Sequence, residues 1–244
     1  MAKRTKRHDG RRADQHRPVT ITPDFVRTAD GSCLIETGGT RVICTASIVP
    51  GVPPWREELG LGWVTAEYGM LPASTARRKP RPAGKPDSRG IEIKRLIGRV
   101  LRSVVRFDRL GPNTIYLDCD VLEADGGTRT AGITGAQVAL SRAIRMGREK
   151  GLFQRGAVAG LVAATSVGMV DGAAVLDLDY LEDSTAEVDM NIAMTQSGEF
   201  IELQGTAERR PFTREQLDAM LDLAAKGIKR LMTAQRKAIR GDTA

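Results

Sequence analysis

Apolar and β-branched residues interleave with polar ones through residues 18–22, 32–37, 40–49 and 63–68, and the turn pairs Asp30-Gly31 and Gly38-Gly39 punctuate them. That pattern predicts four strands. Residues 71–87 break it. Pro72, Pro80, Pro82 and Pro86 stand among basic residues there, which suits neither helix nor strand and predicts a loop. Ile93, Leu96, Ile97, Val100, Leu101, Val104 and Val105 then recur at three- and four-residue steps, predicting a helix with Ser88 as its N-cap and Lys94, Arg95, Arg99 and Arg102 on its other face. Ile115, Leu117, Cys119 and Val121 share one face of a further strand, with Asp118 and Asp120 opposite. An Asp125-Gly126-Gly127 turn leads from it into a long helix reaching about Lys150.

The second half repeats the theme. Strands are predicted near residues 157–167, 173–179, 186–195 and 200–204. A final helix follows, with Leu217, Met220, Leu221, Ala224, Ile228, Leu231 and Met232 as its apolar stripe and Thr213 as its cap. Strand groups followed by helices, twice over, define an α/β (α+β) chain with mixed sheets. It reads as one domain over residues 1–244, made of two related halves, roughly 1–150 and 151–244, around a shared core. The duplication rests on element order, because no sequence repeat accompanies it. Residues 1–17 are polar and strongly basic and read as an arm or loop.

Composition narrows the function. A chain of 244 residues, 41% hydrophobic, can bury a sizeable core. It holds no apolar run long enough to cross a bilayer, and its basic start is not followed by the apolar segment of a secretory signal, so a cytoplasmic location is expected. Three cysteines without a short-spaced pair argue against a disulfide framework or a zinc site; Cys33, Cys44 and Cys119 each fall in a strand-like run, as small buried hydrophobes do. His8 and His16 lie near the N-terminus, and two histidines there do not easily make a triad or a metal cage. Histidine-driven catalysis is therefore not expected.

The net charge is +7 and the pI about 9.6, which brings a polyanionic partner into view. Distribution sharpens this. Ten basic residues lie between Arg77 and Arg102, opposed only by Asp87 and Glu92, while acidic residues gather between Asp171 and Asp189. A basic surface and a separate acidic cluster suggest a polyanion brought to a metal.

Four groups of residues could carry such chemistry. In Gly126-Gly127-Thr128-Arg129-Thr130, glycines let the backbone approach an anion at a helix start, Thr128 offers a hydroxyl and Arg129 a planar fork for phosphate oxygens. Residues 127–134 resemble a P-loop in their two glycines, but Ile133 stands where its lysine belongs, which argues against an NTPase. Arg89, beside Gly90 in the first turn of the basic helix, can meet an anion bound at a helix terminus. Asp183 and Asp189 are expected on either side of a short turn between two strands, a spacing that lets two carboxylates converge on a hard cation. Val188 and Met190 put Asp189 on the polar face of its strand. Arg77, Arg78 and Arg81, without interleaved aromatics, suit contacts to backbone phosphates rather than to bases. Each feature has a plainer reading as an ordinary turn, a solvated arginine, an acidic turn or a charged loop.

Together these stretches resemble the ribonuclease PH family, and the match runs over nearly the whole chain. It includes Asp9-Gly10-Arg11, Arg17-Pro18-Val19, the long string from Gly62-Trp63-Val64-Thr65 to Gly69-Met70-Leu71-Pro72, and Arg95-Leu96-Ile97-Gly98-Arg99. It continues with Asp118-Cys119-Asp120-Val121, Ala124-Asp125-Gly126-Gly127-Thr128-Arg129-Thr130, Glu182-Asp183-Ser184, Asp189-Met190-Asn191 and Glu202-Leu203-Gln204-Gly205-Thr206. His16, Ile91, Lys94 and residues 73–86 depart from the family pattern. The resemblance implies the duplicated fold of that family, also seen in ribosomal protein S5 domain 2. It implies a phosphorolytic 3′→5′ exoribonuclease, a nucleotidyltransferase that trims transfer RNA 3′ ends, releases nucleoside diphosphates, runs reversibly and has a place in ribosomal RNA processing. Arg89 and Gly127-Thr128-Arg129 match the family's phosphate site, and Asp183 and Asp189 its metal-associated aspartates, holding Mg²⁺ or alternatively Mn²⁺. Arg77, Arg78 and Arg81 match the loop that contacts the transfer RNA stem, and the family assembles as a homohexameric ring, a trimer of dimers. A non-catalytic ring subunit would need neither aspartate, and a hydrolytic nuclease would leave residues 127–129 without a purpose.

Overall fold

Period-two alternation and amphipathic helices settle into two layers of sheet with helices between and beside them. The computed structural model describes residues 7–81 and 87–241. Strands β1 (Val19–Pro23), β2 (Gly31–Thr37), β3 (Thr40–Pro50), β4 (Trp63–Met70) and β5 (Asn113–Glu123) form a sheet of order β1-β2-β3-β5-β4. Its pairings are antiparallel except β4 with β5, which run parallel. That parallel pair requires a crossover, and α2 (Ser88–Arg102) supplies it, packing on β4. Its buried face is Ile93, Leu96, Ile97, Val100 and Leu101, each contributing about 1.5–3 kcal/mol. The second sheet has order β7-β6-β8-β9 and is antiparallel: β6 (Val162–Val170), β7 (Ala173–Leu176), β8 (Val188–Thr195) and β9 (Phe200–Ala207).

Helix α3 (Thr128–Glu149) lies between the sheets, against β2 and β3 on one side and β6 on the other. Being sandwiched explains why it is buried nearly all round rather than striped. Close approach needs small residues: a Cβ on Gly135 would lie 2.7 Å from Cys44 Sγ and 2.8 Å from Ile35 Cγ2. Cys33, Cys44 and Cys119 align in register across β2, β3 and β5 and are buried against this helix, as small hydrophobes. Hydrogen bonding among these thiols, with burial, pushes Cys44 far above the usual thiol range, so it is inert at neutral pH.

Helix α5 (Arg214–Arg240) covers β6 and β7. Thr213 caps it as the sequence indicates, in a reciprocal box with Gln216: Thr213 Oγ1 accepts from the Gln216 amide at 3.3 Å and Gln216 Oε1 from the Thr213 amide at 2.9 Å. Two short helices were not anticipated, α1 (Pro54–Glu57) and α4 (Tyr180–Thr185). Ser88 is not a cap: it is the first residue of α2, and Asp87 precedes it without a side-chain capping bond. The 157–167 and 173–179 strands are displaced, beginning at Val162 and ending at Leu176. Residues 7–17 have no regular structure but pack on the second half, where the Leu176 amide donates to the Ala13 carbonyl at 2.8 Å. Parts of the expected arm (1–6) and loop (82–86) lie outside the described residues. No helix of the described residues is long and apolar enough to cross a membrane.

Candidate active site

The Asp125-Gly126-Gly127 turn joins β5 to α3 in a conformation only glycine adopts freely. Gly126 has φ +73° and Gly127 φ +66°. Gly126 is also pressed against the next wall of the site, since a Cβ there would lie 2.6 Å from the Asp179 carbonyl carbon. Thr40 holds the turn from below: its hydroxyl donates to the Gly126 carbonyl at 2.6 Å and accepts from the Asp125 amide at 2.9 Å. Arg17 adds a bond to the Asp125 carbonyl, while its guanidinium is fixed by a buried ion pair with Asp177 at 2.7 Å. The turn thus presents the first amides of α3, which have no partner inside the helix, in a rigid arc. Alanine at 126 combines a disfavoured φ with a clash. We expect a loss of about 2 kcal/mol or more in thermal or urea unfolding, with weaker phosphate binding.

Side chains complete the arc. Thr128 is buried and its hydroxyl accepts from Tyr68 Oη at 2.8 Å, which ties β4 to the start of α3. Arg129 donates through Nη1 to Gln204 Oε1 at 2.7 Å and Glu92 Oε1 at 3.3 Å, and Gln204 Nε2 donates to the same Glu92 oxygen at 3.1 Å. This triangle draws α2, α3 and β9 together and leaves the rest of the guanidinium fork for an anion.

The acidic run divides into two populations. Asp177, Asp179 and Glu182 are buried and neutralised by the N-terminal segment. Arg7 Nε donates to Glu182 at 2.6 Å, Arg11 reaches Asp179 at 3.2 Å, and His8 Nε2 lies 2.6 Å from Asp179. The charges of Arg7 and Arg11 are therefore spent inside the protein, while Arg12 of the same segment stays at the surface beside Asp14. Asp179 and Glu182 also form a capping box for α4, the helical turn that stands where the sequence suggests a simple turn between strands. Asp183, one turn on, and Asp189, on β8 between buried Val188 and Met190, face the cleft instead.

Burial raises the Asp183 carboxyl above its usual value; Arg89 and Arg129 pull it back and Glu208 pushes it up. Burial raises Asp189 further, to about 6, reinforced by the charges of Asp183 and Glu208 and opposed by Arg129 and Arg89. Both carboxylates thus feel both arginines across one space. His16 takes no part: burial holds its pKa near 4, and Nε2 lies 3.0 Å from Thr165 Oγ1.

That space is a cleft of about 1260 Å³. Arg89, Gly127, Thr128, Arg129, Asp183 and Asp189 all line it, and Arg77 and Arg78 reach it from the 71–81 loop; Arg81 is exposed and outside its lining. The remaining basic face of α2 is largely engaged by protein: Lys94 pairs with Glu67 at 3.0 Å, Arg99 with Glu202 at 2.7 Å, and Arg102 lies over Trp63. No role for Arg17, Thr40, Tyr68, Glu92 or Gln204 is legible in the sequence. Several lie in the quoted strings, but nothing in their local pattern shows which distant group each one holds.

Two convergent arginines and a helix start opposite paired carboxylates define a class: an enzyme of two fused sheets that acts on phosphate-bearing substrates. Comparison with known proteins narrows it. The pattern of the 3′ exoribonuclease family, domain 1, matches residues 15–145, and that of domain 2 matches residues 160–227. The chain is 55% identical over 237 residues to a ribonuclease PH of Bifidobacterium longum, covering 96% of each, and 56% identical over 235 residues to one of Corynebacterium efficiens, again covering 96% of each. The chain belongs to the 3′ exoribonuclease family, among the relatives called ribonuclease PH. Solved structures share the fold. A chain of the Archaeoglobus fulgidus exosome with RNA bound to the active site superposes with a TM-score of 0.81 at 22% identity, covering 94% of this chain and 92% of that one. Rice Rrp46 superposes at 0.77 and 18% identity, covering 96% and 100%.

Proposed function

We propose that this cleft shortens RNA from its 3′ end by phosphorolysis, moving the terminal nucleotide to inorganic phosphate and releasing a nucleoside diphosphate. The observation that carries this reading is the opposition, in one cleft, of an anion arc with two arginines to two carboxylates of raised pKa. Arg89, Arg129 and the amides after Gly127 hold phosphate beside the last phosphodiester. A phosphate oxygen attacks the terminal phosphorus, the bond to the 3′ oxygen of the preceding nucleotide breaks, and that oxygen leaves with the proton given up by the attacking hydrogen phosphate. Positioning and charge suffice, with no protein nucleophile. One phosphate linkage replaces another, so the reaction runs backward when diphosphates abound.

Asp183 and Asp189 fit a divalent cation. Both are oxygen donors, both are raised by burial, and Asp189 is raised again by Asp183, a repulsion that a cation would relieve. Mg²⁺, or Mn²⁺ in its place, would there neutralise charge on the scissile phosphate. Arg77, Arg78 and Arg81 would contact the RNA backbone of transfer RNA precursors. We read residues 1–244 as a single domain of two related halves, acting in the cytoplasm and assembled as a hexameric ring. Light scattering is then expected to give six times the 26.4 kDa chain mass, and a monomer or dimer mass would contradict it.

The deciding experiment supplies purified protein, a 3′-extended RNA and magnesium, with and without phosphate. Diphosphate release that requires phosphate is expected. Equal degradation without phosphate, yielding monophosphates, would overturn the reading in favour of a hydrolase.

A further inference from the structure

The phosphate arc and the carboxylates account for the charged heart of the cleft but give no role to its one aromatic side chain among the described residues. Tyr180 is the single aromatic among the described residues that line it, and it is 62% exposed. We propose that Tyr180 is the platform on which one of the last two bases of the RNA stacks, so that the cleft grips its substrate by a nucleobase as well as by phosphates. The inference rests on the phosphorolytic reading of the same site.

Position carries it. Tyr180 opens α4 three residues before Asp183, so the two share a helix face with Cβ atoms about 5–6 Å apart. Asp183 is assigned to the scissile phosphate, and a base attached at that phosphate or the next falls within reach of the ring. The backbone of Tyr180 is also fixed relative to the phosphate arc. Its amide donates to Asp125 Oδ1 at 3.4 Å, and the preceding residue is packed on Gly126. Leu181 makes the contrast: it is 59% exposed on the same short helix but lies outside the cleft lining. Exposure alone is therefore not the argument. Every base has a π-face, so such a platform holds successive 3′ ends whatever their sequence, as stepwise removal requires. The basic loop gives no base contact of this kind, since its Arg77 and Arg78 suit phosphates.

The test is phosphorolysis with RNA varied at saturating phosphate and then phosphate varied at saturating RNA, using RNA oligomers that are intact or abasic at each of the last two positions. Tyr180→Ala is expected to raise the KM for RNA about tenfold to a hundredfold while the KM for phosphate stays put. Tyr180→Phe restores RNA binding, and Leu181→Ala matches the parent. An abasic nucleotide at the stacked position weakens binding to the parent by a similar factor and leaves Tyr180→Ala indifferent, a coupling that a merely structural role would not produce. Three results would each overturn the inference: a parental RNA KM in Tyr180→Ala, equal losses on intact and abasic RNA, or a loss that tracks a changed mass in light scattering. If the parent shows no phosphate dependence, the reading of the site fails instead. The same comparison, made as RNA dissociation constants by fluorescence anisotropy, then judges Tyr180 alone.

Discussion

Asp189→Asn is expected to lower kcat by about 10²–10³-fold or more, the scale of losing one preorganised charge at a phosphoryl-transfer centre. RNA affinity should stay within about threefold, because the arginines and loop proposed to bind phosphate are intact. The variant should also be more stable than the parent without metal at pH 7. The folded Asp189 carboxyl titrates near 6, above its ordinary value of 3.8, so the folded state holds that proton more tightly than the unfolded chain. Its ionisation therefore opposes folding: the penalty is absent below about pH 4, grows as pH rises through 6 and is complete at 7. Asparagine removes it, a gain on the order of 1–3 kcal/mol at pH 7 that disappears at pH 4. Thermal melts at the two pH values with kcat measurements check both halves. A variant with parental turnover would remove Asp189 from the mechanism.

Arg129→Ala is expected to raise the KM for phosphate about tenfold to a hundredfold, as loss of a charge-assisted fork on an anion does. It also leaves Glu92 with Gln204 as its remaining partner in the triangle. Arg129→Lys keeps the charge but not the planar fork, so it should recover only part of the affinity. Phosphate titration of initial rates distinguishes the three proteins. An unchanged phosphate KM in Arg129→Ala would mean that the anion binds elsewhere.

Much of this arrangement is legible along the chain. Alternation located the strands of the first sheet to within a residue or two; β3 and β5 alternate in burial, whereas β2 is buried on both faces. Helices α2 and α5 announced themselves by spacing, and α5 also by Thr213 at its start, whereas α3, buried nearly all round, carries no such stripe. Asp189 was readable as cleft-facing because Val188 and Met190 fix which side of β8 is buried. The reading weakened where tertiary partners decide. Asp177, Asp179, Asp183 and Glu182 look alike in sequence, yet only Asp183 is left to the cleft, since the partners of the other three come from Arg7, Arg11 and Arg17, far back in the chain. Those arginines read only as part of a basic arm or loop, because burial of a charge is set by what covers it. The α4 turn was missed for a related reason: its capping box spans four residues of mixed polarity in a segment too short to show periodicity.

The clamp made by Arg17 has a consequence for how the enzyme comes into being. One guanidinium bridges the loop at Asp125 and the carboxylate of Asp177, partners 108 and 160 residues away in sequence. Closing contacts of such high order is entropically slow and follows local structure formation. A nascent chain still short of residue 177 can build the first sheet and its helices, but its anion loop lacks the clamp and the two cleft aspartates have yet to be synthesised. Under the roles proposed for that loop and those aspartates, the capacity to degrade RNA is withheld from the growing polypeptide until most of it has left the ribosome.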